Sequence, residues 1–142
     1  MKDLAVVDSA TQLDANSRGR VVVCGSHGAL YSAWLAAHAR VRAVVFNDAG
    51  IGRHSAGIAG VAWLDTFGIA ACAVDFRTAR IADGRGMLET GVVTTVNDSA
   101  ATHGCLPGHT CRQASKCLLE NAPEVEPQEV PEIGETRLRI GN

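Results

Sequence analysis

Aromatic side chains are scarce in this sequence: three Phe, two Trp and one Tyr in 142 residues, although hydrophobic residues make up 46% of the chain. The core must therefore be built from Val, Ala, Leu and Ile, small side chains that let helices pack closely on a sheet. No run of about 18 apolar residues occurs, so no segment reads as a membrane span. Met1–Asp8 lacks the apolar stretch of a signal peptide, and a cytoplasmic protein with no membrane partner is expected. A basic surplus is missing too. The net charge is −2 and the arginines are scattered, which argues against a nucleic-acid scaffold. Five cysteines, an odd number, contain no C-x-x-C pair, so reduced thiols are expected and not a disulfide framework. A G-x-S-x-G nucleophile elbow, a Walker A loop and internal repeats are all absent.

The length suits one domain with a single core, placed at residues 1–120. From Asn121 the composition shifts. Pro123, Pro127 and Pro131 punctuate a Glu-rich segment that buries little and cannot continue a helix, so residues 121–142 read as an extended tail. Arg137-Leu138-Arg139-Ile140 alternates like an edge strand, fit to dock on a sheet edge or a sister subunit.

The central stretch is Val21-Val22-Val23-Cys24-Gly25-Ser26-His27-Gly28-Ala29-Leu30. An uninterrupted β-branched run suits a strand covered on both faces, and the period changes at Gly25. From Gly28 to Ala39, the residues Leu30, Tyr31, Trp34, Leu35, Ala37 and His38 form a helical face. Ala43–Phe46 and Ile69–Val74 are two more buried strands. The segment between them, His54–Phe67, is expected to be a helix stopped by Gly68. Leu4–Val7 reads as a strand or a helix entry, and Gly91–Asn97 as a short strand or extended turn before Ala100 and Ala101. A last helix over His109–Glu120 turns Ala114, Cys117 and Leu118 inward. Repeated strand–helix units imply an α/β fold: a small Rossmann-like three-layer sandwich with a mostly parallel sheet and an extended C-terminal tail.

In such sheets ligands sit beyond the carboxyl ends of the strands. The loops Gly25–Gly28, Asn47–Gly52 and Asp75–Gly86 are expected to converge there. His27 titrates near neutral pH, Asp48 orients it or the substrate, and Ser26 is the nucleophile candidate, with Cys24 behind it. Gly25, Gly28, Asn47, Gly50, Thr78 and Arg80 are the substrate-binding candidates. Backbone N–H groups near Gly28 would seat an anion, and Arg80 would clamp a carboxylate or phosphate. Each has a plainer alternative. Ser26 caps a helix, His27 caps the helix or serves a subunit contact, Asp48 caps its own turn, Arg80 pairs with Asp83, and Cys24 is an inert core residue.

Gly25-Ser26-His27-Gly28, with Asp48 twenty residues beyond Gly28, loosely resembles the first half of a Rossmann nucleotide-binding unit over about the first third of the chain. That resemblance implies a dinucleotide. The chain departs from it where His27 replaces the second glycine and where Leu30 or Tyr31 replaces the third, so the cofactor stays open. His103, Cys105, His109, Cys111 and Cys117 crowd into fifteen residues, but their spacing is not that of a zinc knuckle, and no metal is assigned.

The function expected from these residues is a small-molecule enzyme, a hydrolase or related proton-transfer enzyme, acting on an anionic or carbonyl-containing metabolite and assembled as a homo-oligomer. The alternative is a non-catalytic ligand-binding or accessory subunit of a larger complex.

Overall fold

A computed structural model describes residues 3–52, 55–124 and 130. Five strands, β1 (Leu4–Val7), β2 (Val21–His27), β3 (Ala43–Asn47), β4 (Ala70–Val74) and β5 (Val93–Val96), form one sheet in sequential order. β1 to β4 run parallel and β5 returns antiparallel on β4. The fold is α/β with a mostly parallel sheet between helical layers, as the strand–helix alternation implies. Leu4–Val7 resolves as an edge strand. Among the described residues no helix is long and apolar enough to cross a membrane.

Helices α1 (Leu30–His38) and α2 (Ala59–Asp65) cover one face, where Ala33, Ala36, Val61 and Leu64 join Val22, Cys24, Val44 and Phe46 in one core cluster. The opposite face is covered by α3 (Gly84–Thr90), α4 (Asp98–Thr102) and α5 (Cys111–Asn121). Met87, Ala100, Ala114 and Leu118 pack there on Val21, Val45, Cys72 and Val74. Both faces of each central strand are thus buried, which is why these strands read as continuous apolar runs.

Three local expectations need correction. On α1 the buried residues are Ser32, Ala33, Ala36 and Ala37, not the aromatic stripe. Tyr31, Trp34 and His38 instead stack along the outside, with ring centroids 6.4 Å apart for Tyr31–Trp34 and 5.0 Å for Trp34–His38. The cause is the tight crossing of α2, where a Cβ on Gly60 would collide with the Ala29 carbonyl and the Ala33 side chain. Helix α2 begins only at Ala59, because the Gly57 N–H is drawn back to the Ile51 carbonyl at 2.6 Å. Helix α3 emerges inside the segment expected to be a loop. Asp83 caps it by accepting the Gly86 N–H, and two glycines in its first turn hide it from propensity.

At the carboxyl end, α5 runs through Asn121. Val130 packs against the α1–α2 cluster. The edge-strand expectation for Arg137–Ile140, and most of the extended tail, fall outside the described residues.

Candidate functional site at the carboxyl rim of the sheet

The three loops singled out in the sequence meet at one end of the sheet, joined mainly through backbone. Gly28 donates its N–H to the Asn47 carbonyl at 3.0 Å, and Ala82 donates to the Gly25 carbonyl at 2.8 Å. Asn47 Nδ2 donates to the Ala79 carbonyl at 2.9 Å, and the Asp48 N–H donates to the Val74 carbonyl at 2.8 Å. Beyond β3 the chain leaves toward the α1–α2 face, whereas beyond β4 it crosses β3 and β2 to reach α3 on the other face. Loops that part in opposite directions are where α/β sheets open a crevice. The rim of β1 joins the same assembly, with Gly84 N–H on Asp8 Oδ1 at 3.0 Å and Ala10 N–H on Ser26 Oγ at 2.9 Å.

His27 ends β2 and pairs with Asn47 of β3. The register slips between the Val23↔Val45 and His27↔Asn47 pairs, because two extra residues, Gly25 and Ser26, are accommodated on β2. Such irregularities re-aim side chains at strand ends. The imidazole is half-buried, and burial pushes its pKa below the ordinary value. It is therefore neutral at pH 7 and equipped to accept a proton.

Asp48 is buried and fully engaged. Its Oδ1 accepts the Gly50 N–H at 2.7 Å and the Phe76 N–H at 3.1 Å, and its Oδ2 accepts the Thr94 hydroxyl at 3.0 Å. The carboxylate thereby ties the loop after β3 to the loop after β4 and to β5. It also caps its own turn, as one sequence alternative had it. Thr94 comes from the antiparallel strand β5, and no local sequence signal could have placed it here.

The remaining candidates divide into braces and ungrouped side chains. Asn47 Oδ1 accepts the Ala49 N–H at 2.8 Å, and Thr78 Oγ1 donates to the Asp75 carbonyl at 2.6 Å while accepting the Val92 N–H. Ser26 does not cap α1: Ala29 is the N-cap, with no side-chain hydrogen bond, and Ser26 Oγ ties β2 to the turn after β1. Gly25 and Gly28 serve close approach. A Cβ on Gly25 would lie 2.5 Å from the Asp8 carbonyl oxygen, and one on Gly28 would lie 3.0 Å from that of Gly57. With the Gly28 N–H given to Asn47, that group is committed within the fold. Arg80 is exposed, and among the described residues it forms no ion pair with Asp83 or any other carboxylate.

The backbone after Asp48 is strained. Ala49, Gly50, Ile51 and Gly52 all have positive φ, at 50°, 77°, 67° and 74°. Each non-glycine residue there costs roughly 1–2 kcal/mol, and a β-branched one is a true outlier. The strain is held by Ile51 N–H on the Asp48 carbonyl at 2.6 Å and by the Asp48 and Asn47 side chains. Strain of this kind clusters at functional sites. The Phe76 ring lies against Gly50 in this turn, a contact with no local sequence signal.

Of the cysteines only Cys24 borders the rim, where its thiol meets Ser26. Burial raises the Cys24 thiol to about 11, so it is protonated and unreactive at neutral pH. Cys72, Cys105 and Cys111 sit in the opposite core. The Cys72 and Cys105 thiols share a hydrogen bond, and Cys105 Sγ lies 3.6 Å from the Ala114 carbonyl. His109 Nδ1 accepts the Leu106 N–H at 3.2 Å. Among the described residues no three His, Cys, Asp or Glu side chains converge in a metal-binding group. The chain matches no protein-family model, no curated protein and no solved structure.

Proposed function

We propose that this chain is a small-molecule enzyme, a hydrolase or related proton-transfer enzyme, acting on an anionic or carbonyl-containing metabolite at the carboxyl rim of the sheet. The observation that carries this is His27: a half-buried imidazole with lowered pKa, at a register shift at the end of β2 and paired with Asn47, where the strained turn begins. In this mechanism the neutral His27 takes a proton from the substrate or from a water and returns it to the leaving atom. Arg80 meets the anionic group. Asp48 acts as a positioning residue, holding the loops on either side of the crevice. Ser26 Oγ, engaged with Ala10, is the weaker nucleophile candidate, and a water activated by His27 fits the geometry better. Unpaired thiols throughout the chain agree with a reducing, cytoplasmic setting, and a homo-oligomer belongs to the same proposal.

A panel of small carboxylates, phosphate esters, esters and amides, assayed with the native chain and with His27→Ala and Arg80→Ala, tests it. The expected result is turnover reduced at least a hundredfold by His27→Ala, with a raised KM in Arg80→Ala. Unchanged turnover in both variants removes the mechanism.

A second reading has its own support. Asn47, Asp48, Thr78 and Ser26 all spend their polar atoms bracing loops, which suits a non-catalytic ligand-binding or accessory subunit. It predicts binding without turnover for every member of the panel.

A further inference from the structure

Four of the five cysteines meet in the core beneath α4 and α5. Cys72 lies on β4, Cys105 on the loop after α4, Cys111 at the start of α5 and Cys117 further along it. All four are free thiols. Cysteine is a common small core residue, so burial alone asks for no explanation. The placing of two of them does. The Cys72 and Cys105 sulfurs are in hydrogen-bond contact, and the Cys105 S–H donates to the Ala114 carbonyl at 3.6 Å. The contact with Cys105 raises the Cys72 thiol and lowers that of Cys105, because Cys72 is the donor. Burial pushes Cys111 up to about 11 and raises Cys117 as well. Of the four, Cys105 is the sulfur readiest to give up its proton and attack.

The backbone on the two sides of the pair is unequal. Cys72 is held on a strand with β3 on one side and β5 on the other. Cys105 belongs to a short connection that turns on Gly104 and Gly108, both left-handed at φ 95° and 94°, and that carries Leu106 out into water. Its ties are few and local: the Gly108 N–H on the Val93 carbonyl at 2.8 Å, and Asn121 Nδ2 on the His103 carbonyl at 3.0 Å. Exposed connections of this kind open locally without global unfolding, which admits a small reagent to a buried sulfur. The partly exposed Cys117 stands on the outer side, its sulfur 3.8 Å from where a Cβ on Gly104 would be.

We propose that Cys72 and Cys105 are a redox modification site, closed to a disulfide by a hydroperoxide so that the α4–α5 loop is fastened to the sheet. The Cys105 sulfur attacks the peroxide, and its S–O bond forms as the O–O bond breaks. The leaving oxygen departs as alcohol or water with the thiol proton. The Cys72 sulfur then attacks the sulfenic sulfur of Cys105; the S–S bond forms, the S–O bond breaks, and the hydroxide leaves as water with the Cys72 proton. Two thiols are oxidised by two electrons while one hydroperoxide is reduced. Thiol exchange with a cellular dithiol reopens the bond, as befits a transient disulfide in a reducing compartment. The site is independent of the chemistry proposed for the rim.

The test is to reduce the full chain, remove the reductant, add hydrogen peroxide, and map the cysteines by mass spectrometry after alkylation and digestion without reduction. The expected result is a mass lower by two hydrogens, one linked peptide pair joining Cys72 to Cys105, and full reversal by dithiothreitol. The oxidised chain is expected to melt several degrees above the reduced one, because the bond closes a long loop in the unfolded chain. In Cys72→Ala the linked pair should vanish and Cys105 should stop at the sulfenic acid, trapped by dimedone. Cys117→Ser should leave the linkage and its rate unchanged. The native chain carries the decisive reading, whatever the variants do to folding. Five thiols still open to alkylation after peroxide and denaturation overturn the proposal. So does a bond that maps to Cys111, to Cys117 or between two chains, or a Cys105 that passes to the sulfinic acid without a bond. A mapped Cys72–Cys105 bond with a lowered Tm overturns the fastening of the loop.

Discussion

At the scale of single residues, the rim is a contrast between His27, whose half-buried ring makes no hydrogen bond among the described residues, and Asp48, whose side chain is consumed by structure. Burial disfavours the charged imidazole, so the native His27 titrates below the value near 6.5 that the unfolded chain shows. Between the two values only the unfolded state takes up the proton. The stability tied to this residue is intact above about pH 6.5 and is lost as the pH falls through the native pKa. Urea unfolding of the native chain and of His27→Gln across pH 5 to 8 is expected to show a drop on the acid side that the variant lacks. Asp48 makes a different prediction. Asp48→Ala strips acceptors from two N–H groups and a hydroxyl and is expected to cost about 2–3 kcal/mol, read as a lowered denaturation midpoint. Asp48→Asn, which keeps one carbonyl oxygen in place, is expected to lose less.

The elements are set by small side chains as much as by large ones. Helix α1 reads from its sequence as an aromatic-faced helix, yet it buries serine and alanines, because α2 approaches too closely for anything larger. Aromatic periodicity here marks the outward stripe, on which Tyr31, Trp34 and His38 stack. Gly60 is the contact that permits this crossing. Gly60→Ala improves helix propensity by up to about 1 kcal/mol but forces the new methyl onto α1. A net loss of about 1–3 kcal/mol is expected, measured by thermal or urea unfolding. A stabilised Gly60→Ala would show that the helices can part without cost. The strands were legible for the converse reason. Val21–Cys24, Ala43–Phe46 and Ile69–Val74 are buried on both faces, so burial leaves a continuous apolar signature. Helix α3 left no such mark. It buries only Gly84 and Met87, and its start depends on a cap made by Asp83.

Over the whole molecule, the sequential sheet puts α1 and α2 on one face and α3, α4 and α5 on the other, so the chain must change sides between the ends of β3 and β4. At that change of side the Asp48 carboxylate clasps the two loops together. The same change sends the segment after β4 across the strand ends, where the Ala79 carbonyl meets Asn47 and the Ala82 N–H meets Gly25. The two edges are finished differently. β1 is a short strand with Val6 partly open, and β5 is turned antiparallel and covered at its start by Gly108 and His109. Val130, in the segment after α5, packs on the α1–α2 cluster, so truncation after Ala122 is expected to leave the far-UV circular dichroism unchanged. The Val130 contact alone sets a loss of stability of at least about 1 kcal/mol, the value of a partly buried valine. A loss of secondary structure on truncation would make the tail part of the fold.

By itself the sequence determined the class of fold, the three central strands and the loops that meet at the carboxyl rim. These follow from local patterning, where apolar runs end in glycine turns and each run must be covered on both faces. The tertiary structure alone decided what each side chain at the rim is free to do. Ser26, Asn47, Asp48 and Thr78 spend their polar atoms on partners up to 46 residues away, while His27 and Arg80 have no such partner among the described residues. Hydrogen-bond partners are fixed by which loops the sheet brings together, and neither Thr94 opposite Asp48 nor the left-handed turn at Ile51 is written in the residues beside them.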